Sequence, residues 1–281
     1  MAFNPLERAR QMSIITISRE SYSKGKEVAE KVASRLSYDC ISHEVLLEAS
    51  KRFNIPEMQL IKAIHDAPSI MDHFYHSKQA YIAYIRSALT QRLKQDNVVY
   101  HGLAGHILLK GVPHVLMVRI NANLEDRIAT EMKRESIGEK EARTLVLKDD
   151  QERCKWSKSL YGVDPWDSSL YDLVIGINKL SVEDAVDLIC QAASREQFRT
   201  TDSSRHIMDD LALACQIKAA LVDHFSDVAV TSEYGNVIIY TKTQERLGHK
   251  LKDKVKTLEE EIEGINNLEI HASLSYPANA V

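Results

Sequence analysis

The chain has 281 residues, 44% of them hydrophobic and 27% charged, with a formal net charge of −4. This length suits one large domain or two, each able to bury a core, and two is the starting expectation. The mildly acidic, ordinary composition carries no global nucleic-acid signature, so any anion site must be local, and no stretch approaches the ~18 apolar residues that a membrane span needs.

The N-terminal MAFNPLERARQ has charges where a signal peptide needs its apolar run. Cys40, Cys154, Cys190 and Cys215 are scattered without a C-x-x-C pair, which argues against a zinc site or a disulfide framework and fits a reducing cytoplasm. The expectation is a soluble, cytoplasmic protein with no transmembrane segment and no nucleic-acid partner.

In chain order, SIITIS at 13–18 is a short apolar run without alternation, as expected of a strand buried on both faces of a parallel sheet. YDCI at 38–41, NVVY at 97–100, HVLMVRI at 114–120 and YDLVIGI at 171–177 supply four more runs. The segment 44–94 reads as helical, broken near Pro56 and Pro68, with Tyr75, Tyr81 and Tyr84 expected to pack in the core. Residues 123–158 form a charged helical stretch, a solvated surface or a mobile hairpin. Ser181 with Glu183 and Asp184 caps a helix running to about Ser194, and SREQFRTTDSSRH after it is polar and reads as a linker. Beyond it come a helix at 207–225, strands at 228–232 and 237–242 joined by a turn at 233–236, a charged helix at 244–262 and a strand at 268–272. The predicted fold class is α/β: a parallel sheet of about five strands flanked by helices over residues 1–198, and a small α-β-β-α-β domain over 199–281.

One segment can carry chemistry. Residues 18–26, SRESYSKGK, join the first strand to a helix, as a phosphate-binding P-loop does. Such a loop wraps main-chain N–H groups round phosphates, adds the dipole of a helix N-terminus and uses a lysine to neutralise charge. G-x-x-x-x-G-K-[ST] is not matched, because Gly25 is the only glycine here and Glu27 stands where a magnesium-holding hydroxyl would. His65, His73, His76, His101, His106 and His114 form no metal-binding pattern, so no metal site is expected. Glu57, Asp66 and Asp72 make no acid/base pair, and no serine sits in G-x-S-x-G.

The segments ITISRESYSKGKEVAEKVASRL at 15–36, NVVYHGLAGHILLKGVPHVLMVRINANLEDRI at 97–128 and EKEARTLV…VDLI at 139–189 together resemble the cytidylate kinase-like family, in the same order along the chain. The resemblance implies a nucleoside monophosphate kinase fold, with ATP and Mg2+ as cofactors if the chain is active, a nucleotide as partner and a closing lid. It implies phosphate contacts from Ser18, Arg19, Ser21, Tyr22, Ser23, Lys24, Gly25 and Lys26, and acceptor contacts from Ser42, His43 and Gly102. It places catalytic positions at Arg153, a lid arginine, with Asp150 and, on the preceding helix, Arg134. Alternatively, either arginine simply pairs with Glu131, Glu135, Glu139 or Asp149.

The chain also departs from the family pattern. Tyr22 and Lys24 replace loop glycines, Ser42-His43 replaces D-R, Gly102-Leu103-Ala104 replaces G-R-G, and Gly176-Ile177-Asn178-Lys179 replaces N-T-D-R. Two readings follow: an ATP-dependent kinase of cytidylate type with a degenerate loop, or a catalytically inactive nucleotide-binding or interaction protein working through residues 199–281. That C-terminal segment resembles a BON domain in element order and could support a homodimer or a protein partner.

Overall fold

Five short, β-branched runs become the strands β1 (Ile14–Arg19), β2 (Asp39–Ile41), β3 (Val98–Tyr100), β4 (Val115–Ala122) and β5 (Leu173–Ile177). All pair in parallel in the order β2-β3-β1-β4-β5. The structure, a computed structural model, describes residues 13–65, 75–102, 104–242, 248–273 and 275–281. Asp66, Pro68, Asp72, His73 and Leu103 lie outside them, as do the side chains of His65, Tyr75 and His76.

β1 is central, with Ile15 opposite Val99 of β3 on one side and Leu116 of β4 on the other. Burial on both faces explains why its apolar run does not alternate. Ile15, Ile17, Val118 and Ile120 form one core with Val28 and Val32 of α1 (Gly25–Leu36) and with Val186 and Ile189 of the helix Val182–Ala193. The latter helix starts with the expected cap. Asp184 N–H donates to Ser181 Oγ at 3.1 Å, and Ser181 N–H donates to the Asp184 carboxylate at 2.8 Å, a reciprocal capping box.

The strand order matters for function. From β1 the chain reaches β2 and β3 on one side and then β4 and β5 on the other, so the direction of winding reverses at β1. Ligands of open parallel sheets bind beyond the carboxyl ends of the strands at such a switch point, and the loop 20–24 lies there.

The remaining helices, in chain order, are α2 (Glu44–Phe53), α3 (Glu57–His65), α4 (Tyr75–Leu93), the short α5 (Gly105–Leu108), α6 (Leu124–Glu135), α7 (Glu139–Tyr161), α8 (Val182–Ala193, introduced above), α9 (Asp202–Leu221) and α10 (Gly248–Glu261). The charged stretch after β4 is thus a helical hairpin, α6 and α7, closed on a small cluster of Ile128, Ala142 and Val146. The polar linker is shorter than its composition suggests. A 3-10 turn occupies Glu196–Phe198 and α9 begins at Asp202, an acidic residue well placed in a first helical turn.

The described residues fall into two compact units. One holds the five-stranded sheet with α1 and α5 to α8; the other combines α2, α3 and α4 with everything from Asp202 onward. In the second unit, β6 (Ala229–Glu233) pairs antiparallel with β7 (Asn236–Thr241), and β8 (Asn267–Ala272) adds parallel to β7. Leu213, Ile217, Val230, Ile239, Leu251 and Val255 form its core. α4 packs on α9, where Gln91 donates to Gln216 at 2.9 Å, and Tyr84, 3% exposed, stacks on Phe53 with ring centroids 4.3 Å apart, a core position as expected. Among the described residues no helix is long and apolar enough to cross a membrane.

Candidate functional site

The loop after β1 takes a conformation that its residues do not favour. Tyr22 has φ 63° and Lys24 has φ 62°, both left-handed, a region usually left to glycine. Ala104, after β3, has φ 60°. The backbone therefore keeps glycine-like geometry at three positions where a side chain is present. Gly25 has a different use: a Cβ there would lie 2.7 Å from the Cβ of Arg19, so its bareness lets the Arg19 side chain pass. An added Cβ at Gly102 would run into the Tyr100 ring.

Lys24 is the N-cap of α1 but supplies no side-chain cap, and the N–H groups of Gly25, Lys26 and Glu27 have no acceptor among the described residues. These are orphan donors at the positive end of a helix. Ser21 Oγ is buried beside them without a hydrogen-bond partner among the described residues, as is Thr16 Oγ1. Ser23 is committed elsewhere, its hydroxyl donating to the Glu20 carbonyl at 2.8 Å. Lys24 is exposed, and Lys26 sits 3.6 Å from Glu30.

Two guanidinium groups approach this loop without an ion pair among the described residues. Arg19 donates through Nη1 to His101 Nδ1 at 2.7 Å and to the His101 carbonyl at 2.8 Å. Arg153, on α7, donates to the Arg19 carbonyl at 3.2 Å. Neither forms an ion pair among the described residues. Burial is the main cause that lowers the pKa of both; the Arg153 charge adds to it for Arg19, whereas Arg153 itself is drawn the other way by Asp149 and Asp150 and pushed down only slightly further by Arg127. Two partly desolvated like charges side by side are unfavourable unless an anion joins them.

The other arginines nearby are neutralised. Arg127, 4% exposed, holds both Asp150 oxygens at 2.7 Å, donates through Nε to the Ser21 carbonyl at 2.8 Å and lies 3.4 Å from Glu20. Arg119 lies 3.7 Å from Glu20, which also accepts from Ala122 N–H at 3.1 Å. Arg134 pairs with Glu131 at 2.8 Å and with Glu135 at 3.1 Å. Of the two arginines that could have been paired on a charged helix, Arg134 is and Arg153 is not.

A buried polar chain supports the loop from below. Ser18 Oγ and His106 Nδ1 are 2.8 Å apart, His106 Nε2 and Tyr171 Oη 3.2 Å, and Tyr171 donates to the Pro165 carbonyl at 2.9 Å. Because Tyr171 spends its proton on Pro165, His106 donates to it from Nε2. Burial, and then Arg119, pushes the His106 pKa down to about 4, so near neutral pH the ring is neutral and Nδ1 accepts from Ser18. His101, too, is lowered to about 4, by burial and by Arg19.

Arg19, Ser21, Tyr22, Gly25, Asp150 and Arg153 are thus gathered round one loop, with Arg134 on its outer side. Ser42 and His43 lie in the turn after the edge strand β2, next to the His101 that Arg19 bonds: His101 N–H donates to the Ile41 carbonyl at 3.1 Å. Ser42 N–H donates to the Glu44 carboxylate at 2.7 Å and holds it below the usual carboxylate range. Sequence reasoning missed Glu20, Arg119, Arg127 and Tyr171 and passed over His106. Arg119 had a legible signal, a single charge inside the apolar strand HVLMVRI; Arg127 had none, being one charge among many on a charged helix.

The profile of the cytidylate kinase-like family matches residues 14–179. A cytidylate kinase from Sulfolobus acidocaldarius is 27% identical over 187 residues, covering 66% of this chain and 97% of that protein. One from Methanocaldococcus jannaschii is 37% identical over 101 residues, covering 35% of this chain and 57% of that protein. The crystal structure of an uncharacterized protein from Eubacterium ventriosum superposes with a TM-score of 0.50 at 25% identity, covering 66% of this chain and all of the other. On the breadth of the family match, with its parallel sheet and loop in place, the chain belongs to the cytidylate kinase-like family.

Proposed function

We propose that this chain binds ATP at the loop after β1 and transfers its γ-phosphoryl group to a nucleoside monophosphate, with cytidylate the acceptor that the relatives' names suggest. The observation that carries this reading is the pair Arg19 and Arg153, two guanidinium groups that form no ion pair among the described residues and border a loop ending in an uncapped helix N-terminus. Phosphoryl transfer asks the protein mainly to position the groups and neutralise charge. Here the orphan N–H groups of Gly25, Lys26 and Glu27 would take phosphate oxygens, Arg153 would close on the transferring group, and Lys24 would screen it from solvent. Asp150 serves as the counter-ion that fixes Arg127, and Arg134 braces the hairpin from outside.

No group of three or more His, Cys, Asp or Glu among the described residues could hold a metal ion. Mg2+ would therefore arrive with the nucleotide, coordinated chiefly by phosphate oxygens and water, with the Ser21 hydroxyl, unpartnered among the described residues, a protein oxygen suited to it. Titration of the full chain with ATP, with and without Mg2+, then with CMP, followed by a coupled ADP-release assay, tests the proposal. Binding of both ligands with turnover lost in Arg153→Ala supports it; no ATP binding at millimolar concentration sinks it.

The second reading, a nucleotide-binding or interaction protein without turnover, is favoured by one observation. Lys24, left-handed and exposed, puts a side chain where close backbone approach to phosphate is easiest without one. In that case the α-β-β-α-β segment from Asp202, BON-like in element order, would serve a homodimer or a protein partner, and ATP would bind without ADP release. Cytoplasmic residence fits either reading.

A further inference from the structure

Tyr22 leaves the phosphate loop to enter the helical hairpin. Its ring packs against the cluster of Ile128, Ala142 and Val146, and the Arg134 guanidinium lies 4.7 Å above it. Its hydroxyl donates to Asp149 at 3.1 Å and accepts from Arg134 Nη2 at 3.1 Å. Asp149 is on α7 and Arg134 on α6, so one side chain fastens both helices to the loop. Burial, and then Asp149, pushes the phenol up to about 12, so it keeps its proton at any working pH. The left-handed backbone at this bulky residue is unfavourable in itself and is retained because the inserted side chain holds it.

Asp149 and Arg153 are four residues apart on α7 and therefore share a helix face. We propose that Tyr22 is a positioning residue: by latching Asp149 and Arg134 to the loop it holds α7 in the register that sets Arg153 beside Arg19, so that loop and hairpin move as one body. The latch stands on the geometry alone; its consequence for ATP rests on the proposed function.

The test uses the full chain and two variants. Tyr22→Phe keeps the ring and removes both hydroxyl bonds; Asp149→Ala removes the acceptor from the other side. Amide hydrogen exchange over residues 139–161 is expected to rise about tenfold in each, the order expected for losing a hydrogen bond to a charged group. The double variant should exchange no faster than the faster single one, and α8 should be unchanged in all three. A merely structural role would instead speed exchange in α8 as well, and exchange over 139–161 equal to wild type in both single variants would equally overturn the latch. In ATP titrations Tyr22→Phe should weaken binding about fivefold in the wild-type background, a partial loss of a charge-assisted contact, and have no effect when Arg153 is already alanine. Equal weakening in both backgrounds would overturn the link to Arg153. If wild type binds no ATP, the function proposed above fails while hydrogen exchange still decides the latch.

Discussion

Two turns in this molecule use the same backbone device and differ in what fills it. In the second unit the β6–β7 hairpin turns through Tyr234 and Gly235, at φ 50° and 75°, and their N–H groups converge on the Asp210 carboxylate at 2.7 and 2.9 Å, with the Ser232 hydroxyl added at 2.6 Å. In the first unit the loop after β1 turns through left-handed Tyr22 and Lys24 and aims the N–H groups at the start of α1 outward, with no acidic side chain to receive them. Successive main-chain donors in such turns form an anion-binding concavity. Where the chain supplies its own carboxylate the turn is structural; where it supplies two guanidinium groups instead, the proposed function has an anion from solution take that place.

The comparison can be broken by removing partners one at a time. The largest effect belongs to the filled ion pair: Asp150→Ala would strand Arg127 as a buried, uncompensated charge and should cost about 3–5 kcal/mol in denaturant unfolding. If that variant is no less stable than wild type, the division of the arginines into structural and ligand-binding sets fails. Acid should act next. The folded pKa of His106, about 4, lies below the 6.5 of an ordinary histidine, so between those values the unfolded chain holds the extra proton. Its contribution, up to about 3 kcal/mol, is complete above pH 6.5 and lost as the pH falls toward 4. His106→Gln should flatten that part of the stability curve, and an unchanged slope would mean that His106 is not held neutral.

Arg153→Ala should leave the melting temperature close to that of wild type while weakening ATP about 10- to 100-fold, as expected for a charge-assisted contact with phosphate. A large loss of stability instead would place Arg153 with the structural arginines. Smallest, Asp210→Ala should destabilise the chain by about 2 kcal/mol, leaving two hairpin N–H groups and a hydroxyl without their acceptor, with no change in an ATP titration. Weaker ATP binding in that variant would contradict the contrast between the two turns.

Much of this was legible in advance, and for local reasons. Unbroken β-branched runs mark strands covered on both faces, and all five appear within two residues of where the pattern puts them. Ser181 and Asp184 at helix-cap spacing become a capping box for the same reason. The β6–β7 turn lies where it was expected, at 233–236, with Tyr234-Gly235 as its central pair. The loop itself was visible as a strand, a short polar segment and a helix start.

The partners inside the site were not legible. Tyr22 stands in sequence where the family has a loop glycine, and nothing local shows that its side chain turns away from the loop into the α6–α7 cluster. Arg134 and Arg153 looked alike on charged helices, and 127 residues separate Tyr22 from the Asp149 that receives its proton.

The sequence by itself determined the layered α/β architecture, the cap and turn positions and the place of the loop, because each depends on residues near one another in the chain. Only the tertiary structure decided which arginines are neutralised, which serine is left without a partner and which helix the loop holds. Those outcomes depend on distance and desolvation between groups far apart in sequence, where a few ångströms separate a buried ion pair from two guanidinium groups outside ion-pair distance of any carboxylate among the described residues.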